Sequence, residues 1–397
     1  MELRYTEAER EFRARVRKWL AEAVASLPPF PDADDWPVRR EYDTSWQRML
    51  FDAGYAGVDW PAAHGGMGAT PTEQLIYLEE SARAHAPYVG ANFVGILHAG
   101  PTIIHEGTEE QIAAHVPKIL RGEEVWCQGF SEPDSGSDLA SLRTVAVREG
   151  DEYVVNGRKV WTSMAHIADY CELLVRTDPS ASKHKGISWL MLPMNAPGVQ
   201  VRPLRTATGT TEFSELVLDD VRVPVANRIG AENDGWRVTM VTFGFERGTA
   251  FIADVVASQA MLEEIVALAK ATPAHGGNLW DDAVIRRDVG RLAAELRGLW
   301  SLTRKNVSEA SAGIVPVQGA SVFKLRFTET RQKLGDLAAH VLGRASVAMS
   351  DLPGLRNGHL VEDRITTLSW TIAAGTSQIQ KNILAERSLG LPKEPRG

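Results

Sequence analysis

The chain has 397 residues, 44% of them hydrophobic and 24% charged, with a formal net charge of -8. That suits a soluble globular protein of two or three domains with a large core. It excludes disorder and offers no electrostatic reason to bind nucleic acid or an anionic membrane. Cys127 and Cys171 are the only two cysteines, too few for a disulfide framework, and no Cys/His spacing resembles a metal site. Both are read as reduced thiols of a cytoplasmic protein. The start, MELRYTEAEREFRARVRKWL, is charged throughout and reads as neither signal peptide nor membrane anchor. The longest apolar run, 89–100, is too short to span a bilayer.

In chain order, residues 1–125 read as a helical domain. Thr6 and Glu9 form a capping box ahead of Phe12, Val16, Trp19 and Leu20 on one face, and Pro28-Pro29 ends the helix. Thr70, Pro71 and Glu73 fill the N-cap, N1 and N3 positions of a second helix, EQLIYLEESARA. Between them GVDWPAAHGGMGA is a Gly-rich loop with no strand before it, so it is no phosphate-binding fingerprint.

From 126 to 233 the period becomes strand-like. RTVAVREGDEYVVNGRKVWTS alternates around two turn signals, Gly150-Asp151 and Asn156-Gly157. YCELLVRT, GISWLMLP, GVQVRPLR and SELVLDDVRVP follow with no helix between them, which predicts an antiparallel β-sandwich or barrel. The polar stretch 178–185 reads as a loop. From 234 to 397 the helical period returns as a four-helix bundle, with Ile285, Val289, Leu292, Leu296, Leu299 and Thr303 on one stripe. Gly375 interrupts it, and Thr376 or Ser377 caps a last helix that ends at Gly390. The fold class is thus α+β, in the order helices, sheet, helices.

Three places offer chemistry. One long helix is expected from Asn233 through Ala269, and on it Glu246 shares a face with Thr242, Phe243, Thr249, Ala250 and Ala253. An acid in that apolar setting either holds its proton tightly enough to serve as a base, or pairs with a neighbouring charge and fixes packing. GFSEPDSGSDLAS, from Gly129 to Ser141, crowds small and hydroxyl residues around Gly136. It is either an anion-binding nest using Ser135 and Ser137, or a plain turn. Trp161 beside Thr162 and Ser163 lies either against a flat ring system or in the core.

DWPAAHGGMG, GFSEPDSGSD, VNGRKVWTSMAHIADY, LVLDDVRVP and AAGTSQIQKNILAER, taken together and in this order, make the chain resemble the acyl-CoA dehydrogenase family over essentially its whole length. The resemblance implies FAD and an acyl-CoA thioester substrate. It implies removal of an α-proton by a Glu while a β-hydride passes to flavin N5, with an electron-transferring flavoprotein as electron acceptor. Cofactor contacts fall to Gln128, to Ser131 at the pyrimidine edge, and to Gly136 and Ser137 at a phosphate. Trp161 would pack on the isoalloxazine, Ser163 would lie near N5, and Thr376 and Gln378 would hold the cofactor from the last helix.

Many members place the base immediately before the Gly-Thr of the last motif, where this chain has Ala374. The isovaleryl and long-chain branch places it on the first bundle helix before an Arg, which Glu246-Arg247 matches. The Ala374 N–H still suits the thioester oxygen. That branch takes branched, long or bulky acyl chains, including steroid side chains. Two departures concern motifs that reach a neighbouring subunit's FAD: ATPAHGG and HVLGR stand in their places, and Arg344 is expected to substitute by charge. A homodimer or homotetramer is expected, with a heteromer as the alternative. Two other functions share the fold: an oxygen-using oxidase or monooxygenase, and a non-catalytic partner subunit.

Overall fold

The computed structural model describes residues 5–32, 34–87, 90–249, 252–274, 276–314 and 317–393, and leaves the side chains of 246–249 and 317–318 outside the description. Five helices come first: α1 (Glu7–Ala25), α2 (Trp36–Asp52), α3 (Pro71–Arg83), α4 (Gly100–Glu106) and α5 (Glu109–Leu120). Eight strands follow: β1 (Trp126–Gly129), β2 (Val145–Glu149), β3 (Glu152–Ser163), β4 (Tyr170–Arg176), β5 (Ile187–Pro193), β6 (Val199–Leu204), β7 (Phe213–Pro224) and β8 (Arg228–Ile229). The remaining helices are α6 (Gly235–Thr249), α7 (Ile252–Ala271), α8 (Ala283–Ser311), α9 (Val317–Leu342), α10 (Gly358–Trp370) and α11 (Ser377–Ile383). The expected single helix from Asn233 to Ala269 thus appears as α6 and α7, and the residues joining them lie outside the described set. No described helix is long and apolar enough to cross a membrane.

The chain packs as two compact units, one of Lys18–Thr70 and His85–Ala250, the other of Met1–Arg17, Pro71–Ala84 and Phe251–Gly397. In the first unit the eight strands form one sheet in the order β6-β7-β3-β2-β4-β5-β8, with β1 beside β4. The hairpin partners run antiparallel as the alternation requires. β1 and β2 run parallel to β4, so the sheet is mixed.

Residues 171–175 of β4 and 187–192 of β5 are all buried. A strand buried at every position needs cover on both faces. One face holds Cys127, Cys171, Leu173, Leu190, Leu216 and their neighbours, while α6 packs on β5. Gly150 turns β2 into β3 with φ +65°. Asn156-Gly157 does not turn the chain. It lies inside β3, where the pairing with β7 shifts register. The Asn156 side chain exchanges hydrogen bonds with Asp220 at 3.0 and 2.9 Å. A Cβ at Gly157 would come within 2.5 Å of Thr144 Oγ1, so the glycine marks a bulge.

In the second unit α7, α8, α9 and α10 make the bundle around Phe327, Leu334, Ala338 and Leu360. The α8 stripe from Ile285 to Thr303 is buried as its spacing requires. Fully burying each of its larger apolar side chains contributes roughly 1.5–3 kcal/mol. α3 packs on α7 and α8, and Arg13 and Arg17 of α1 pair with Glu79 and Glu80 of α3. The Thr6/Glu9 capping box forms, with bonds of 2.7 and 3.2 Å.

One buried charge cluster crosses this bundle. Arg331 of α9 pairs with Asp363 of α10 and also bonds Ser258 Oγ of α7 at 3.3 Å. Burial pushes the Asp254 carboxyl up to about 6; Arg331 pulls it down and Asp363 pushes it further up. Burial likewise raises Asp363, against the pull of Arg331 and His359 and with a push from Glu362.

A carboxyl whose folded pKa exceeds its unfolded value contributes stability below the unfolded pKa and loses it as pH rises through the folded one. For Asp254 that window runs from about 4 to about 6. Asp254→Asn removes the titration. The variant should therefore be more stable than the parent by about 2–3 kcal/mol at pH 8, as an upper bound for a half-buried residue, with the gap closing toward pH 4. Melting curves across that range check it, and parallel curves would show that Asp254 carries no such linkage.

Candidate active site

The centre of the sheet unit is the segment that leaves β1. A Cβ at Gly129 would lie 2.8 Å from Cys171 Sγ and 2.9 Å from a Leu173 methyl, so only glycine lets the backbone pass this close to β4. Glu132 and Ser135 then close a tight turn through two backbone hydrogen bonds of 3.1 Å. Ser135 is buried and its N–H is spent in that turn, so it does not face an anion as the sequence suggested. Gly136 and Ser137 are exposed, and nothing stands within 4 Å of a Cβ built on Gly136.

The turn is tied to the end of β3. The Val160 N–H donates to the Ser131 carbonyl at 2.9 Å. Lys159, fully buried, donates to the Phe130 carbonyl at 3.2 Å and to Glu132 Oε1 at 2.8 Å. Glu132 also accepts the backbone N–H groups of Arg143 and Thr144 at 2.6 and 2.8 Å. Burial pushes Glu132 up, but the Lys159 charge and these bonds outweigh it and hold the carboxyl below its usual range. Burial lowers Lys159, and Glu132 partly restores it.

Two residues on, a second register shift with β7 turns Trp161 outward at φ +61°. The indole is 60% exposed and meets Phe213 edge-on, with centroids 6.1 Å apart. It is no core tryptophan. A left-handed non-glycine residue costs about 1–2 kcal/mol, and a bare indole forgoes burial as well. Outliers of this kind cluster at functional sites. Thr162 is buried, and its hydroxyl meets no hydrogen-bond partner among the described residues. Ser163 beside it is half-buried.

α6 lies against the same segment. Phe243 meets Phe130 edge-on, with centroids 6.0 Å apart, and Thr242 bonds Thr102 of α4 at 2.9 Å. Helical spacing puts position 246 on the face of Thr242 and Phe243, while the Glu246 side chain lies outside the described residues. The Gln128 side chain points to the helical side of the sheet. It donates to Glu172 of β4 at 2.7 Å and meets the imidazole of His98, on the π turn Gly95–Ala99, at 3.1 Å.

The turn between α10 and α11 belongs to the helical unit. Ala374 is exposed and left-handed at φ +50°, followed by Gly375 at φ +83°. Among the described residues no acceptor meets the Ala374 N–H. The Thr376 hydroxyl caps α11 through the Ile379 N–H at 3.1 Å. Gln378 is exposed on α11, and Arg344 is exposed on the 3-10 turn Gly343–Val347.

Sequence reasoning missed Lys159, His98 and Glu172. Lys159 had a visible signal, since it falls on the inward parity of β3 set by Tyr153 and Val155. His98 and Glu172 gave none.

Three family models cover nearly the whole chain: the acyl-CoA dehydrogenase N-terminal domain at residues 6–123, the middle domain at 127–221 and the C-terminal domain at 233–389. The chain belongs to the acyl-CoA dehydrogenase family. Acyl-CoA dehydrogenase IpdE1 of Mycobacterium tuberculosis is 39% identical over 394 residues, covering 98% of this chain and 99% of its own length. The structure of the ChsE4-ChsE5 complex from the same organism matches with a TM-score of 0.86 and 33% identity, covering 99% of this chain and 100% of that chain. The Tcur3481-Tcur3483 steroid acyl-CoA dehydrogenase matches at 0.84 and 31%, with the same coverage.

The enzyme is therefore an FAD-dependent oxidoreductase acting on acyl-CoA. Its residues fit that cofactor. Trp161 offers an exposed aromatic ring, and the exposed Gly136 and Ser137 leave room for a phosphate.

Proposed function

We propose that this dehydrogenase desaturates the Cα–Cβ bond of a bulky, polycyclic acyl-CoA, with Glu246 as the base. The observation that carries the mechanism is the seat of α6. Phe243 against Phe130 holds the face that bears position 246 beside the Ser131 segment. Glu246 takes the α-proton, and the freed electron pair becomes the new double bond. FAD, when bound, would supply the acceptor for the β-hydrogen and its electron pair. The Ala374 N–H donates to the thioester oxygen and stabilises the charge that develops there.

Trp161 would pack on the flavin, Ser131 and Ser163 would hydrogen-bond its ring heteroatoms, and Gly136 and Ser137 would receive a phosphate. Thr376 would act through its backbone or its O–H, since the α11 cap uses only an acceptor lone pair of its hydroxyl. Gln378 and Arg344 are free at the surface to reach the cofactor of a neighbouring chain. Gln128 acts through its backbone, since its amide is held by His98 and Glu172.

Likeness to an enzyme described as a steroid acyl-CoA dehydrogenase supports the bulky acyl class, and the ChsE4-ChsE5 complex supports assembly with a second chain of the same fold. Electrons leave to an electron-transferring flavoprotein. Two buried free thiols suit a reducing cytoplasm.

Yellow protein mixed without air with a panel of acyl-CoA thioesters tests the reading. Bleaching should be faster with polycyclic acyl groups than with straight chains of equal carbon number. No bleaching with any thioester would overturn it. Rapid recovery in air with peroxide release would replace the flavoprotein acceptor by dioxygen.

A further inference from the structure

The turn that presents the Ala374 N–H is held open from behind by two buried side chains, both in the helical unit. Lys324 of α9 is 6% exposed, and its ammonium donates to the Trp370 carbonyl at 2.9 Å and to the Gly375 carbonyl at 2.7 Å. Gln380 of α11 is 3% exposed, and its amide donates to the Ala374 carbonyl at 3.1 Å and the Gly375 carbonyl at 3.4 Å. The loop is closed at its base by the Ser377 N–H on the Thr371 carbonyl at 2.9 Å, and Gln332 anchors the Thr371 hydroxyl at 3.1 Å.

These contacts account for a conformation the sequence does not favour. Ala374 is left-handed without being glycine. A Cβ at Gly375 would stand 2.8 Å from the Gln380 amide nitrogen, so that position admits only glycine on two counts. Side chains satisfy the carbonyls of this turn, while the Ala374 N–H meets no acceptor among the described residues.

We propose that Lys324 and Gln380 are positioning residues for the thioester. They fix the Ala374–Gly375 turn so that the Ala374 N–H is aimed at the oxygen on which enolate charge develops. This rests on the reading of that N–H given above. Neither side chain touches substrate. Lys324 works by geometry and by its charge, which lies behind the turn and favours negative charge in front of it.

The test is a 3-thia-acyl-CoA carrying the acyl group that bleaches the wild-type enzyme best. Its α-proton is acidified by sulfur, and the bound enolate shows a long-wavelength band against oxidised flavin, so the apparent pKa of that band reads enolate stabilisation without turnover. In Lys324→Met the band should titrate about one unit higher than in the parent, a tenfold loss of stabilisation, while FAD content stays stoichiometric. Lys324→Arg should recover part of the shift. Gln380→Leu should show a smaller rise, and it carries the test if Lys324→Met does not fold.

An unchanged band pKa in the folded holoprotein of either variant would overturn the positioning role. If the wild-type enzyme bleaches with acyl-CoA yet forms no band, the Ala374 reading falls and this inference with it. If it does neither, the proposed function itself has failed.

Discussion

Glu246→Gln is expected to bind FAD and keep its fold while the rate of anaerobic flavin bleaching by acyl-CoA falls about 10³–10⁴-fold, the loss typical of removing a general base. That corresponds to roughly 4–5.5 kcal/mol of barrier. The size of the effect follows from the absence of a substitute. The position before Gly375, where many relatives keep their base, is Ala374, and an alanine side chain accepts no proton. The change is isosteric and sits on a helix whose seat is fixed elsewhere, by Thr242 on Thr102, Phe243 on Phe130, and Arg237 on Glu106 at 2.6 Å. Stopped-flow bleaching with the best thioester measures the loss, and flavin content with melting temperature controls for the fold. A variant that bleaches within tenfold of the parent would remove Glu246 from the base role and return it to the packing role that the sequence also allowed.

Period and punctuation told most of the fold. Short apolar or alternating runs between turn residues located β4 to β7 within a residue or two, because each has one face against Tyr153, Leu192, Leu216 and their neighbours. The α8 stripe fell out of its 3.6-residue spacing for the same reason. What period could not give was pairing between distant segments. Nothing in WCQG says that it will lie parallel to Tyr170–Leu173, and hairpin reasoning counts only neighbours in sequence.

Asn156-Gly157 shows the opposite failure. The dipeptide is a strong local turn signal, but the β7 pairing on both sides of it carries the strand straight through, and tertiary context leaves a bulge. The site was legible as motifs and illegible as contacts. Trp161 was ambiguous from sequence because exposure decides its meaning, and exposure depends on the register slip between Lys159 and Thr162. Lys324 gave no signal at all, since its partners are carbonyls of residues 370 and 375, reached only once α9 and α10 pack.

The second large effect is expected at Lys159. Lys159→Met leaves the Glu132 carboxylate buried and held only by two backbone N–H groups, and breaking a buried pair from one side costs about 3–5 kcal/mol. The loss should be visible twice. Melting temperature falls, and FAD affinity falls at least about tenfold, some 1.4 kcal/mol, because Lys159 holds both neighbours of Ser131, Phe130 by its backbone carbonyl and Glu132 by its side-chain carboxylate. Trp161 stands two residues further on the same strand, so loosening Lys159 also loosens the ring proposed to pack on the flavin.

Glu132→Gln alone should cost a comparable amount by stranding the ammonium. The double variant Lys159→Met with Glu132→Gln should cost less than the sum of the two, since removing both charges leaves none unpaired. FAD titration and melting of all four proteins complete the cycle. Additive losses would mean that the two groups act independently and that the turn is held by the Val160 to Ser131 backbone bond instead. Unchanged FAD affinity in Lys159→Met would confine the pair to stability and leave the placement of Ser131 to the rest of the sheet.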